Sequence, residues 1–216
     1  MAIIVSCLSQ KGGVTKTTMA RLLAHAYASA GWRVKICDFD LKQKTATEWG
    51  ARRMENGRKP EIEVQGFAGV PQALSQAAHY DMLVCDGRGF ADTLTLELAQ
   101  ASHAIFLPSG LANDDLAPTV RLAHELKKAG VPARKLAVVL ARTGDSAREI
   151  DDARDYISQA GYKVLSRTLS ERQGYRLAHD AGRSAGEATH FTLRIAAKNL
   201  ADEMAEHITE NTKDEA

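Results

Sequence analysis

Short apolar runs alternate with longer stretches in which apolar residues recur every three or four positions. "AIIVSCL" reads as a first strand, followed by a helix over residues 16–30 that Gly31 ends. "VKICDFD" gives a second strand, and residues 45–54 a short helix. After the polar stretch "ENGRKP" come a strand in "IEVQGF" and a helix near residues 71–78. "DMLVCDG", "AIFLPS" and "LAVVLA" are three further strands. Between the last two, residues 115–129 form a helix with Leu116, Val120, Leu122 and Leu126 on its apolar side. Residues 146–160 and 187–208 complete the helical set.

Strand–helix alternation of this kind predicts an α/β fold, with a mainly parallel twisted sheet and helices on both faces. Right-handed crossovers bring the loops that follow the strands to one sheet edge, where ligands of such folds bind. That edge gathers "QKGGVTKTT", "DFDLKQ", "DGRGF" and "PSGLANDD". No repeat, low-complexity segment or linker interrupts the 216 residues, so residues 1–216 are expected to form a single domain.

Composition is ordinary for a water-soluble fold, with 44% hydrophobic and 25% charged residues. No apolar run is long enough for a membrane span, and "MAIIVSCLSQ" lacks the basic lead of a signal peptide. A cytoplasmic location is expected. Cys7, Cys37 and Cys85 each lie in an apolar strand and read as small buried hydrophobes in a reducing compartment. Net charge is only +1, but its distribution is uneven. Residues 163–198 carry seven Lys/Arg against three Asp/Glu, and residues 199–216 carry one lysine against six acids.

The most specific chemistry lies in "SQKGGVTKTT", which joins an apolar strand to a helix. Gly12 and Gly13 allow a sharp turn that aims successive amides inward, and the helix adds its unsatisfied N-terminal donors. Lys16 can bring a point charge to the β- and γ-phosphates, and Thr17 a hydroxyl to Mg²⁺. Thr15 stands where phosphate loops usually place glycine. It is tolerable there with helix-start backbone angles and costly with a positive φ.

"KGGVTKTT" resembles the deviant Walker A motif, K-G-G-x-x-K-[ST]-[ST], of the ParA/MinD ATPases. The resemblance implies a P-loop NTPase fold and a nucleotide cradle of Lys11, Gly12, Gly13, Val14, Thr15, Lys16, Thr17 and Thr18. It implies ATP/ADP and Mg²⁺ as cofactors. Lys11 matches the family's signature lysine, which reaches across a dimer interface to the partner's nucleotide. "VKICDFD" is similar to the family's second strand, and Asp40 then matches the aspartate that positions water and the magnesium shell. Asp38 precedes it by two residues, so both carboxylates project to one side if the strand continues. The usual "DPQ" is replaced by Leu41 and Lys42 after Asp40. "YDMLVCDGRG" resembles the Walker B and second switch segment, with Asp86 holding magnesium through water. Lys11, Lys16 and Asp40 are thus the expected catalytic residues, and Thr17, Asp40 and Asp86 the metal site.

The resemblance covers about residues 3–186 and is strongest in the first 90. "LPSGLANDDLAPTVRLAHEL" and "RTLSERQGYRLAHDAGRS" are similar to later segments of small ParA proteins, with Asp115 at a recurrent aspartate. By that likeness an ATP-bound homodimer binds DNA without sequence preference and is released when a ParB-like partner stimulates hydrolysis. A nucleoid-associated location in the cytoplasm follows. Candidate DNA contacts are Lys163, Arg167, Arg172, Arg176, Arg183 and Arg194. The competing view of these residues is surface pairing with Glu171, Asp180 and Glu187. The acidic, weakly apolar ending "AEHITENTKDEA" argues against a membrane-binding helix, and the buried cysteines against an iron–sulfur reductase. A ParA-like positioning scaffold for other cargo, with little hydrolysis of its own, is the main rival reading.

Overall fold

The computed structural model describes residues 2–13, 15–89 and 92–213. Eight strands form one all-parallel sheet: β1 (Ile3–Cys7), β2 (Val34–Asp38), β3 (Glu63–Gly66), β4 (Met82–Asp86), β5 (Ala104–Ser109), β6 (Leu136–Thr143), β7 (Lys163–Val164) and β8 (Leu169–Ser170). Their order is β3-β2-β4-β1-β5-β6-β7, with β8 also pairing along β6. The central strands are buried on both faces and therefore read as unbroken apolar runs.

Strict alternation along these strands sends side chains to two separate cores. Val5, Cys7, Ile36, Val84, Phe106 and Val139 face one core. Ile4, Cys37, Cys85, Leu107 and Leu140 face the other. The first core is covered by α1 (Lys16–Ser29), α2 (Thr45–Glu55), α7 (Gln173–Asp180) and α8 (Phe191–Thr212). The second is covered by α3 (Val70–Leu74), α4 (Thr93–Ala101), α5 (Asn113–Lys128) and α6 (Ala147–Gln159). Helix α1 lies between the sheet and α8, so Met19, Ala20, Leu22, Leu23 and Ala24 are buried almost all round it. Burying each large side chain of that set is worth about 1.5–3 kcal/mol before entropy is counted.

The expected elements are present, with three differences. Helix α4 follows β4, where no helix was expected; Asp92 caps it by accepting from Thr95 N at 3.0 Å. Helix α7 and the two-residue strands β7 and β8 were also unforeseen. Helix α8 begins at Phe191 because Ser184 and Glu187 first close a capping box around a separate 3-10 turn at Ala185–Glu187. Chain reversal at the topological switch beside β1 gathers the loops after β1, β2 and β4 at the C-terminal edge of the sheet.

Candidate functional site

The loop after β1 turns tightly before α1. Ser9 Oγ accepts from Lys11 N at 3.1 Å, and Gly13 adopts φ +76°. A Cβ built on Gly12 or Gly13 meets nothing within 4 Å, so both positions border open space that a ligand can fill. Val14, expected in the cradle, lies outside the described residues. Thr15 takes φ 70° and ψ 19°, the left-handed region that a β-branched residue avoids. The costly alternative for this position is therefore the one found, and Lys16 then opens α1.

Thr17 Oγ1 donates to Asp86 Oδ2 at 2.6 Å. The other carboxylate oxygen, Asp86 Oδ1, is buried and has no partner among the described residues. Burial pushes the Asp86 carboxyl up to about 7, and the nearby Asp38 charge adds to the effect. Beside it, Lys16 Nζ donates to the Lys11 carbonyl at 2.9 Å, and burial lowers the ammonium's pKa. An unmatched carboxylate oxygen next to a hydroxyl suits a hard cation such as Mg²⁺ that keeps most of its own water and phosphate ligands. Among the described residues no group of three or more His, Cys, Asp or Glu side chains could hold a metal ion unaided.

The two aspartates after β2 have different settings. Strand β2 stops at Asp38, so the expectation that Asp38 and Asp40 project to one side does not apply. Asp38 is buried and locks the head of α2: Oδ1 accepts from Asp40 N at 3.0 Å, and Oδ2 from Thr47 N and Oγ1 at 3.0 and 2.8 Å. Asp40 lines the open space, where its Oδ1 accepts from Gln43 N at 3.1 Å. The cavity they share measures about 230 Å³ and brings together Gly12, Lys16, Thr17, Asp40 and Asp86. Gly89, in the loop after β4, closes one wall; a Cβ there would lie 2.9 Å from Gly12 N.

A second cavity of about 230 Å³ shares Gly13, Thr15 and Thr18 with the first. Arg142, at φ 56°, stands on its wall, with Nη1 3.3 Å from the Gly13 carbonyl and Nε 3.3 Å from Glu171 Oε2. Arg176 meets the other oxygen of Glu171 at 2.5 Å, and Tyr175 and His179 complete the wall. Burial, with Arg21 and Arg52 nearby, pulls His179 down to about 4, so its ring is neutral at physiological pH. A larger groove of about 700 Å³, near Trp32, Arg33 and Tyr80, contains residues at the start of β1 and before β4, away from the loop edge.

Lys11 is engaged within its own chain. Its Nζ donates to Asp115 Oδ1 and to the Asp114 carbonyl, both at 2.7 Å, at the first turn of α5. The pair is half-exposed, with side chains 41% and 26% accessible. Gly110 makes room for it, since a Cβ there would lie 2.3 Å from Asp115 Oδ2.

The CobQ/CobB/MinD/ParA nucleotide-binding domain matches residues 5–184. The chain belongs to this family. No curated protein sequence matches it. Among solved structures, the septum site-determining protein MinD of Pyrococcus horikoshii, complexed with Mg-ADP, superposes with a TM-score of 0.76 at 19% identity, covering 99% of this chain and 100% of that one. A candidate plasmid partition protein of Borrelia burgdorferi bound to AMPPNP gives 0.73 at 15% identity, covering 95% and 99%. McdA of Cyanothece, as a variant complexed with ATP, gives 0.68 at 15% identity, covering 94% and 96%. At these identities the neighbours share the fold.

The six candidate DNA contacts do not share one set of partners. Lys163 on β7 pairs with Glu210 of α8 at 2.6 Å. Arg172 pairs with Asp145, and Arg176 with Glu171, both beside the second cavity. Arg167 lies in a groove with Phe191 and Ile195. Arg183 donates to Thr189 Oγ1 at 3.2 Å, and Arg194 to the Thr189 carbonyl at 3.0 Å, with its guanidinium 5.7 Å from the Phe191 ring centre. Glu187, one of the three expected surface partners of these arginines, instead holds buried Arg53 at 2.8 Å. Among the described residues no helix is long and apolar enough to cross a membrane.

Proposed function

We propose that this chain is a ParA-type ATPase that uses ATP and Mg²⁺ to time its own pairing and its hold on DNA. The observation that carries the reading is the Thr17–Asp86 contact with its unmatched carboxylate oxygen, set beside Lys16 and an open glycine cradle. The first cavity takes the phosphates and the second the nucleoside, since the two meet at Gly13, Thr15 and Thr18. Thr17 and Asp86, with Asp40 on the wall of the same cavity, would hold Mg²⁺, which when bound would neutralise charge on the phosphoryl oxygens. Lys16 supplies a second charge to the same oxygens, and Asp40, on the cavity wall, orients water.

Two copies complete the site when Lys11 leaves Asp115 and reaches the nucleotide of the facing subunit. Pairing doubles the number of arginines and lysines available to DNA phosphates, so nucleotide state gates binding by avidity. A ParB-like partner that stimulates hydrolysis then releases the cargo. The test is ATP turnover of the wild type, Lys16→Ala and Asp40→Ala, with and without DNA. Loss in both variants supports the reading, and wild-type turnover at background overturns the hydrolase.

A second reading, a ParA-like positioning scaffold with little hydrolysis, draws on two observations. Thr15 holds the loop in a strained conformation, and Lys11 is occupied in its own subunit. Under that reading ATP still drives pairing, while turnover stays near background with any partner.

A further inference from the structure

Arg21 lies one turn beyond Thr17 on α1, and nothing described above gives it a task. Its side chain is buried, with the residue only 4% exposed, and its guanidinium carbon sits 5.3 Å from the centre of the Trp49 ring. Nη2 donates to the Thr45 carbonyl at 2.5 Å, at the head of α2. Among the described residues neither Nε nor Nη1 has a hydrogen-bond partner, and no carboxylate forms an ion pair with the group. A buried guanidinium with so few acceptors is costly. Leucine or methionine would pack against Trp49 without that cost. The cation therefore answers to something other than packing.

Its position supplies the reason. Long side chains on a helix lean toward the N-terminus, which carries the Arg21 head back to the level of Thr17. There it lines the same cavity as Lys16, Thr17, Asp40 and Asp86. The cavity shares Gly13, Thr15 and Thr18 with the second one, whereas Asp40, Gln43, Thr45 and Gly89 line it alone. Arg21 also lines the first cavity alone, and its bond to Thr45 ties it to the wall that carries Asp40 rather than to the residues shared with the second cavity. Burial lowers the guanidinium's pKa to about 10, with Asp86 acting in the opposite sense, so it remains charged at neutral pH. Lys11, meanwhile, is committed to Asp114 and Asp115 in this arrangement.

We propose that Arg21 contacts the terminal phosphate from within the same chain and makes the site distinguish a nucleoside triphosphate from a diphosphate. The contact rests on the nucleotide-binding reading given above and extends it to a residue outside the phosphate loop. Nη1 finds its acceptor in a phosphoryl oxygen, and the Nη2 bond ties that event to the first turn of α2.

The test is equilibrium titration of the full chain with ADP and with AMPPNP, in Mg²⁺, for the wild type, Arg21→Met and Arg21→Lys. The same titrations in a Lys11→Ala background keep lost pairing from counting as a lost contact. Arg21→Met is expected to weaken AMPPNP about tenfold or more and ADP less than twofold, the span of a charge-assisted hydrogen bond. Arg21→Lys keeps the charge but not the planar fork and is expected to fall between. Equal losses for both nucleotides, as a purely structural role would give, overturn the proposal, and so do unchanged affinities. If Arg21→Met does not fold, an unchanged AMPPNP-to-ADP ratio in Arg21→Lys overturns it equally. A wild type that binds neither nucleotide overturns the nucleotide reading as well.

Discussion

Lys11 and Asp115 stand 104 residues apart in the chain and 2.7 Å apart in the fold. The lysine that the proposed dimer needs is therefore tied down in the monomer, and pairing has to break that tie. Half-exposed ion pairs of this kind are worth less than about 1 kcal/mol. Each of the two subunits gives up one such tie, so Asp115→Asn is expected to move ATP-dependent dimerisation to lower protein concentration, by up to about thirtyfold. Light scattering across a concentration series with AMPPNP measures the shift. A move to higher concentration would mean that Asp115 supports the pair of subunits.

Thr15 offers a test of strain. Relief of the left-handed conformation is worth about 1–2 kcal/mol, and the added freedom of glycine in the unfolded chain takes back about half. Thr15→Gly is expected to raise the melting temperature by about 2 °C in a chain of this size. A fall in calorimetric melting temperature would show that the threonine side chain contributes more than its backbone costs.

Asp86 ties stability to pH. Its folded-state pKa of about 7 lies above the ordinary 3.8, so the folded chain binds the proton more tightly than the unfolded one. That contribution is fully present below about pH 4 and is lost as pH rises through 7. In the absence of Mg²⁺ and nucleotide, Asp86→Asn is expected to melt higher than the wild type at pH 8, by on the order of 2–4 kcal/mol in stability, with the gap closing toward pH 4. Adding Mg²⁺ with ADP reverses the ranking at pH 8. Scanning fluorimetry at four pH values, with and without the ligands, reads both effects.

Arg53 is the buried cation whose donors are met. Its guanidinium bonds the carbonyls of Pro60 and Gly182 and the carboxylate of Glu187, and it lies 5.4 Å from the Trp49 ring centre. Glu187→Gln leaves this charge buried without its counter-ion and is expected to cost about 3 kcal/mol. A urea midpoint within error of the wild type would place the stabilisation in the two carbonyls alone.

Strong periodic signals were legible in the sequence, and so was the phosphate loop, whose glycines and lysines are consecutive. Strand alternation gave the sheet because buried parallel strands are apolar on both faces, as Met82 to Cys85 show. Two-residue strands such as Lys163–Val164 are too short to carry a period. Asp38 was placed by extending a strand that ends on it, and only the fold reveals Thr47 as its partner. Arg21 gave no signal, since an arginine between Ala20 and Leu22 looks like an interruption of the apolar face. The second cavity is assembled from Gly13, Arg142 and residues 169–179, which no local pattern connects.

Gly89 leaves almost no clearance where the loop after β4 meets the loop after β1: its missing side chain would fall 3.1 Å from the Lys11 carbonyl carbon, whose oxygen receives the Lys16 ammonium. Any side chain at position 89 would have to push aside the peptide that anchors Lys16, so the deepest charge of the site keeps its seat only while that position stays bare.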